Sequence, residues 1–185
     1  MNPEQQQQVF RTLLTAMSAP GQIATIPAHS APAPLSPACA AICQTLLDAG
    51  SPVALVGMCA AVAPWLATHC RAPMVSMDAA HFVLGTEKHW DWESTPVPMG
   101  SEEEPEQGAT LILELDNLDA AKPLQLTGPG IASTRRIAPD LGAGFLTFWQ
   151  KQQSRYPRGV DLILCCREQC LCLPRSVSIC RLEEA

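Results

Sequence analysis

The chain has 185 residues, of which 47% are apolar and 16% charged, and its formal net charge is −6. This length suits one domain spanning residues 1–185 with a substantial core, and the acid excess argues against nucleic acid as the main partner. No apolar run is long enough to span a membrane; the start, Met1-Asn2-Pro3-Glu4 and then four glutamines, lacks the basic and apolar regions of a secretory signal, so the expected location is the cytoplasm.

Residues 3–18 read as a helix, because Pro3 suits a first turn and Val9, Leu13, Leu14 and Met17 recur at helical spacing. Pro20-Gly21 stops it. Gln22 to Ile26 alternates like a short strand, and Pro27 to Pro37 carries four prolines and reads as a loop. A second helix is expected from Pro37 to Ala49, with Gly50 as its stop. Val53 to Val56 is a continuous apolar run that suits a strand buried on both faces. Cys59 to Cys70 reads as a helix that restarts at Pro64, and His81 to Leu84 as a short strand.

Residues 86–107 are polar and read as a short helix or irregular segment followed by an acidic loop at Glu102-Glu103-Glu104. Adjacent carboxylates of this kind hydrate, or else bind a cation. Thr110 to Leu115 and Leu124 to Thr127 are expected strands joined by a turn near Asn117 to Ala121. Asp140 is placed to cap a helix running to about Ser154. Asp161 to Cys166 and Cys170 to Leu173 form a hairpin around Arg167-Glu168-Gln169. Helices separate the early strands and short connections join the later ones, a mixture that implies a mixed sheet covered by helices, an αβα sandwich of the α/β class.

Nine cysteines are too many for chance neglect and too odd in number to pair completely. In a reducing compartment they act as small apolar side chains. Cys39 and Cys43 share a helix face and Cys170 and Cys172 share a strand face, but no paired Cys-x-x-Cys knuckle occurs, so core packing is preferred to metal.

The most informative stretch is Leu126-Thr127-Gly128-Pro129-Gly130-Ile131. A strand runs into a stiff corner poor in side chains, where backbone N–H groups can point outward toward an anion. Thr127 adds a hydroxyl, and Arg135 and Arg136 follow with guanidinium forks suited to phosphate or phosphonate oxygens. The corner matches neither the Gly-x-Gly-x-x-Gly nor the Walker pattern, and Pro129 removes one donor, so a plain turn competes with a ligand site. Charge shifts here too: there are 4 Lys/Arg and 13 Asp/Glu before Arg135, against 8 and 5 from Arg135 onward. The hairpin brings Asp161 and Arg175 toward one end, either as an ion pair or as a polar mouth for a ligand. The candidate anion site therefore comprises Thr127, Gly128, Gly130, Arg135, Asp161 and Arg175. No histidine pair, Gly-x-Ser-x-Gly elbow or protease-like cysteine marks a catalytic centre. Lys88, Lys122 and Lys151 are the only lysines, and none is placed as a Schiff-base lysine would be. Trp90 and Trp92 either pack or stack on a base.

The corner has ordered companions: Phe10-Arg11, Ala16-Met17-Ser18-Ala19-Pro20-Gly21, Pro105-Glu106-Gln107-Gly108-Ala109-Thr110, Tyr156-Pro157-Arg158-Gly159-Val160-Asp161-Leu162 and Leu173-Pro174-Arg175-Ser176. In this order they resemble the PhnH family of the bacterial carbon–phosphorus lyase system over almost the whole chain. This chain departs from the family's habit at Arg158, where an apolar residue is common. The resemblance implies a three-layer fold similar to the large domain of pyridoxal-phosphate-dependent transferases without the cofactor lysine, no cofactor, and a homodimer. It also implies company with PhnG, PhnI and PhnJ, which together replace the adenine of ATP by a phosphonate at ribose C1. The nucleosidase-like step is attributed to PhnI and the radical iron–sulfur step to PhnJ, which leaves this type of subunit an accessory or binding role, without catalysis alone. A phosphonate or nucleotide is the implied ligand class. The alternatives are a stand-alone enzyme or binding protein for a phosphorylated small molecule, and a scaffold without ligand.

Overall fold

The computed structural model of the chain describes residues 1–27, 35–58, 60–120 and 122–182. Helix α1 (Pro3–Ser18) is started by a reciprocal cap: Asn2 Oδ1 accepts the Gln5 N–H at 2.8 Å and Gln5 Oε1 accepts the Asn2 N–H at 3.1 Å. Val9, Leu13 and Ala16 form its buried stripe. Strand β1 (Ile23–Thr25) follows, then helix α2 (Pro37–Leu46), which Ser36 caps at Cys39 N–H and which is buried from Ala38 through Cys43. Helix α2 ends before the expected Ala49 because Asp48 closes its own turn, accepting from Gly50 N–H and Ser51 Oγ, each at 2.8 Å. Within the expected loop 27–37, residues 28–34 lie outside the described residues.

Strand β2 (Val53–Val56) and helix α3 (Val62–His69) lead to β3 (Phe82–Thr86). Strand β4 (Thr110–Glu114) is reached through short 3-10 turns at Glu87–His89 and Pro105–Gln107. Then come β5 (Leu124–Thr127), β6 (Arg135–Ile137), helix α4 (Phe145–Gln153), β7 (Asp161–Cys166), β8 (Gln169–Leu173) and β9 (Ser178–Arg181).

Six strands form a mixed sheet in the order β1-β8-β7-β4-β3-β2. β2, β3, β4 and β7 are parallel, and β8 is antiparallel to both β7 and β1. β2 is an edge strand: Val53 and Ala54 are buried, whereas Leu55 and Val56 are only half-buried, so the two-sided burial expected for the whole run is corrected. Residues 73–75 shield its start, with Val53 N–H donating to Pro73 O and Val75 N–H to Val53 O.

A second, antiparallel sheet runs β6-β5-β9. The expected strands 110–115 and 124–127 thus lie in different sheets, and β6 and β9 were not foreseen. Helix α4 begins after Gly144 rather than under an Asp140 cap; Asp140 N–H donates instead to Asn117 O. One face of the large sheet, with Leu84, Ile112 and Ile163, packs against α1, α2 and α3. The other, with Val83, Leu111, Leu113, Leu162 and Leu164, meets α4, Trp90, Trp92 and the small sheet. The chain is therefore an α/β protein in which each face of a mixed six-stranded sheet carries helix. Among the described residues no helix is long and apolar enough to cross a membrane.

Candidate functional site

The glycine–proline corner is built into a seam between the small sheet and the end of α1. Leu126 pairs with Arg135, and Thr127 pairs with Ser178 of β9. Past Thr127 the chain turns through Gly128, Pro129 and Gly130, and Ile131 N–H returns to Gly128 O at 3.2 Å. Gly130 has φ +80, and a β-carbon there would collide with Ser18 O and the Pro20 ring. The two motifs Ser18-Ala19-Pro20-Gly21 and Thr127-Gly128-Pro129-Gly130 are thus each other's packing partners. Arg135, half-buried, fixes the seam: its Nη1 donates to Ala19 O at 2.8 Å and to Pro20 O at 2.7 Å. These carbonyls lie just past the end of α1, where a cation is favoured. Thr127 is half-buried, and Gly128, Pro129, Gly130 and Arg136 are exposed.

Asp161 opens β7 and Arg175 follows β8, and the register Leu162↔Leu173 sets them side by side. Arg175 donates its backbone N–H to Asp161 Oδ1 at 2.7 Å, and its Nε and Nη2 to Oδ2 at 3.1 and 2.6 Å. Nη1 reaches Pro105 O at 2.5 Å, and Nη2 also faces Gly108 O at 3.4 Å. The side chains are 15% and 25% exposed, so every guanidinium nitrogen has a protein acceptor in a largely dry setting. A β-carbon on Gly108 would strike Gly159 O and lie 2.7 Å from Arg175 Nη1, which explains a glycine there. The clamp thus ties together segments 105–110, 156–162 and 173–176. It sits at the amino ends of β4 and β7, opposite the carboxyl ends where ligands of parallel sheets usually gather.

The structure brings the six candidates together as two clusters, Thr127/Gly128/Gly130/Arg135 and Asp161/Arg175, joined by the short run from Arg175 to Ser178. The sequence did not reveal the acceptors: Ala19, Pro20, Pro105 and Gly108 act through main-chain carbonyls, and only the nearby prolines and glycines hint at them. Gln152, buried on α4, accepts Val160 N–H at 2.8 Å, and Trp149 Nε1 donates to Val177 O at 2.8 Å, so α4 braces the same seam.

Elsewhere, Lys88 pairs with Asp116 at 2.7 Å on the surface, and Lys122 and Lys151 are exposed. Trp90 and Trp92 are buried; Trp92 packs against Phe145 and Phe148 with centroids 5.0 and 5.2 Å away and donates Nε1 to Glu87. Glu114 is part-buried at the carboxyl end of β4; desolvation raises its pKa, outweighing the Ser36 N–H that it accepts at 2.5 Å. Two of the buried thiols are shifted toward the protonated form, Cys43 by its hydrogen bond with Cys39 and by burial, and Cys70, pushed up to about 12, by burial, whereas Cys170 is shifted down by its hydrogen bond with Cys172. Among the described residues no group of three or more His, Cys, Asp or Glu is arranged to hold a metal ion.

A mixed-sheet α/β protein whose signature motifs interlock at one edge is the class that fold and site define. Residues 1–180 match the family described as bacterial phosphonate metabolism protein (PhnH). The chain is 35% identical over 178 residues to the alpha-D-ribose 1-methylphosphonate 5-triphosphate synthase subunit PhnH of Rhizobium meliloti (strain 1021), covering 94% of this chain and 89% of that protein. It is 34% identical over 178 residues to HtxG of Stutzerimonas stutzeri, by its name a candidate C-P lyase subunit, covering 94% and 85%. This chain belongs to the PhnH family.

Proposed function

We propose that the chain is a subunit of the carbon–phosphorus lyase core complex in organophosphonate catabolism. In this reading it supports transfer of a phosphonate to ribose C1 of ATP with release of adenine, in a cytoplasmic assembly with PhnG, PhnI and PhnJ. It enters that assembly as a one-domain homodimer and does not catalyse the transfer alone. The end-to-end likeness to a relative named as a synthase subunit supports the role. The observation that carries the accessory assignment is the Arg175 clamp, each of whose guanidinium nitrogens has an acceptor within the protein itself. The mixed sheet with helix on each face supports the further kinship with the large domain of pyridoxal-phosphate-dependent transferases. The exposed positions of the three lysines fit a branch that makes no Schiff base.

A second reading keeps the anion site. Exposure of Gly128 to Gly130 beside Arg135 and Arg136 favours a phosphonate or phosphate at the corner, with Asp161 and Arg175 as its buttress. Growth on methylphosphonate as sole phosphorus source tests both. Deletion of this chain is expected to abolish growth, and Arg136→Ala to leave it intact under the first reading. Normal growth of the deletion strain would overturn the complex role. Loss of growth in an Arg136→Ala strain that still assembles would favour the anion site.

A further inference from the structure

A cleft of about 360 Å³ lies between α4 and the segment 92–99, apart from the glycine–proline seam. Phe148 and Lys151 of α4 line it together with Arg155 of the turn that follows the helix, and Trp92, Val97 and Met99 lie opposite. Both walls are anchored. Gln152 ties α4 to Val160, and Met99 O accepts Gly159 N–H at 2.9 Å. Trp92 is held by Glu87 and by Phe145. The cleft is therefore pre-formed, and its lining is largely apolar with a few polar groups, the usual composition of a small-molecule site.

Its charge is arranged end to end. Lys151 in the last turn of α4 and Arg155 just past its end are exposed and have no carboxylate within ion-pair distance among the described residues. Glu93 stands at the other end, against Gly144 where α4 begins. From Gly144 to Lys151 the helix rises by about 10 Å. The helix dipole favours cations at this end of α4, but it supplies no reason for an apolar cleft beneath them.

We propose that this cleft binds a small organic oxyanion with a flat or apolar body: phosphate or phosphonate oxygens at Lys151 and Arg155, the body against Phe148, Val97 and Met99, and a hydrogen-bond donor at Glu93. Its occupancy does not depend on complex membership, because the groups that form it all belong to this chain.

The test uses the isolated full-length chain, titrated with AMP, phenylphosphonate, adenosine and inorganic phosphate, with binding followed by calorimetry and by the Trp92 indole N–H resonance. AMP or phenylphosphonate is expected to bind at least about tenfold more tightly than adenosine or phosphate, since head and body are held together. Lys151→Gln/Arg155→Gln, at exposed positions that leave the fold intact, is expected to weaken that binding about tenfold or more while leaving adenosine unchanged. Absence of saturable binding of both AMP and phenylphosphonate overturns the proposal. So does undiminished affinity in the double variant, or shifts confined to residues 127–136, which would place the anion at the seam instead. None of these outcomes bears on growth of the deletion strain.

Discussion

Removing the guanidinium of Arg175 isolates what the clamp contributes. Arg175→Ala leaves Asp161 with only the backbone N–H of residue 175 and leaves Pro105 O without its 2.5 Å donor. Breaking a buried ion pair costs about 3–5 kcal/mol. Here the two side chains are 15% and 25% exposed, so water recovers part of that, and about 2–3 kcal/mol is expected. For a chain of this size that is a fall in Tm of roughly 5–10 °C. In urea it is a midpoint shift of about 1 M. Arg175→Lys restores a charge toward Asp161 but cannot also serve Pro105 O, so it is expected to recover about half. Equilibrium urea unfolding of the three proteins, followed by tryptophan fluorescence, provides the comparison. An Arg175→Ala protein within about 0.5 kcal/mol of wild type would refute the clamp, because a side chain whose hydrogen bonds hold the fold together cannot be removed so cheaply.

Gly130→Ala faces both a positive φ and the Ser18 carbonyl, and is expected to destabilise by about 2 kcal/mol or more in the same unfolding assay. Arg135→Ala removes two part-buried hydrogen bonds and is expected to cost about 1–3 kcal/mol, with hydrogen exchange speeding up at residues 18–21. Glu114 prefers its neutral form in the fold, so its folded pKa lies above the ordinary 4.5. Its favourable contribution is present below the unfolded value and is lost as pH rises through the folded one. Glu114→Gln, which keeps an acceptor for Ser36 N–H, should therefore gain stability relative to wild type on going from pH 4 to neutrality; a constant difference across that range contradicts this. Alkylation followed by peptide mapping should modify exposed Cys180 well before buried Cys39, Cys43, Cys165 or Cys172.

The elements that sequence revealed are those whose own residues dictate them. Leu111 to Leu113 and Leu162 to Leu164 are apolar runs of strand length and lie in inner strands, and the 161–173 hairpin follows from two apolar runs and a polar turn. β6 and β9 escaped because Arg135-Arg136-Ile137 and Ser178-Ile179-Cys180-Arg181 are short and mostly polar; they become strands by pairing with β5, from which β9 is distant in sequence. Helix α4 starts late because Gly142-Ala143-Gly144 resists helix, a local cost that the capping letter Asp140 concealed. The juxtaposition of Asp161 and Arg175 was legible from hairpin register. The remaining acceptors were not, since any residue type can supply a carbonyl oxygen.

Assembly is the property on which the functional account turns. Co-expression of tagged wild-type chain with PhnG, PhnI and PhnJ, followed by native mass spectrometry of the purified material, measures it directly. The account predicts one stoichiometric complex containing all four polypeptides, with methylphosphonate-dependent release of adenine from ATP absent from the lone chain and present in the complex. Recovery of this chain free of the other three, or adenine release by the chain alone, would contradict it.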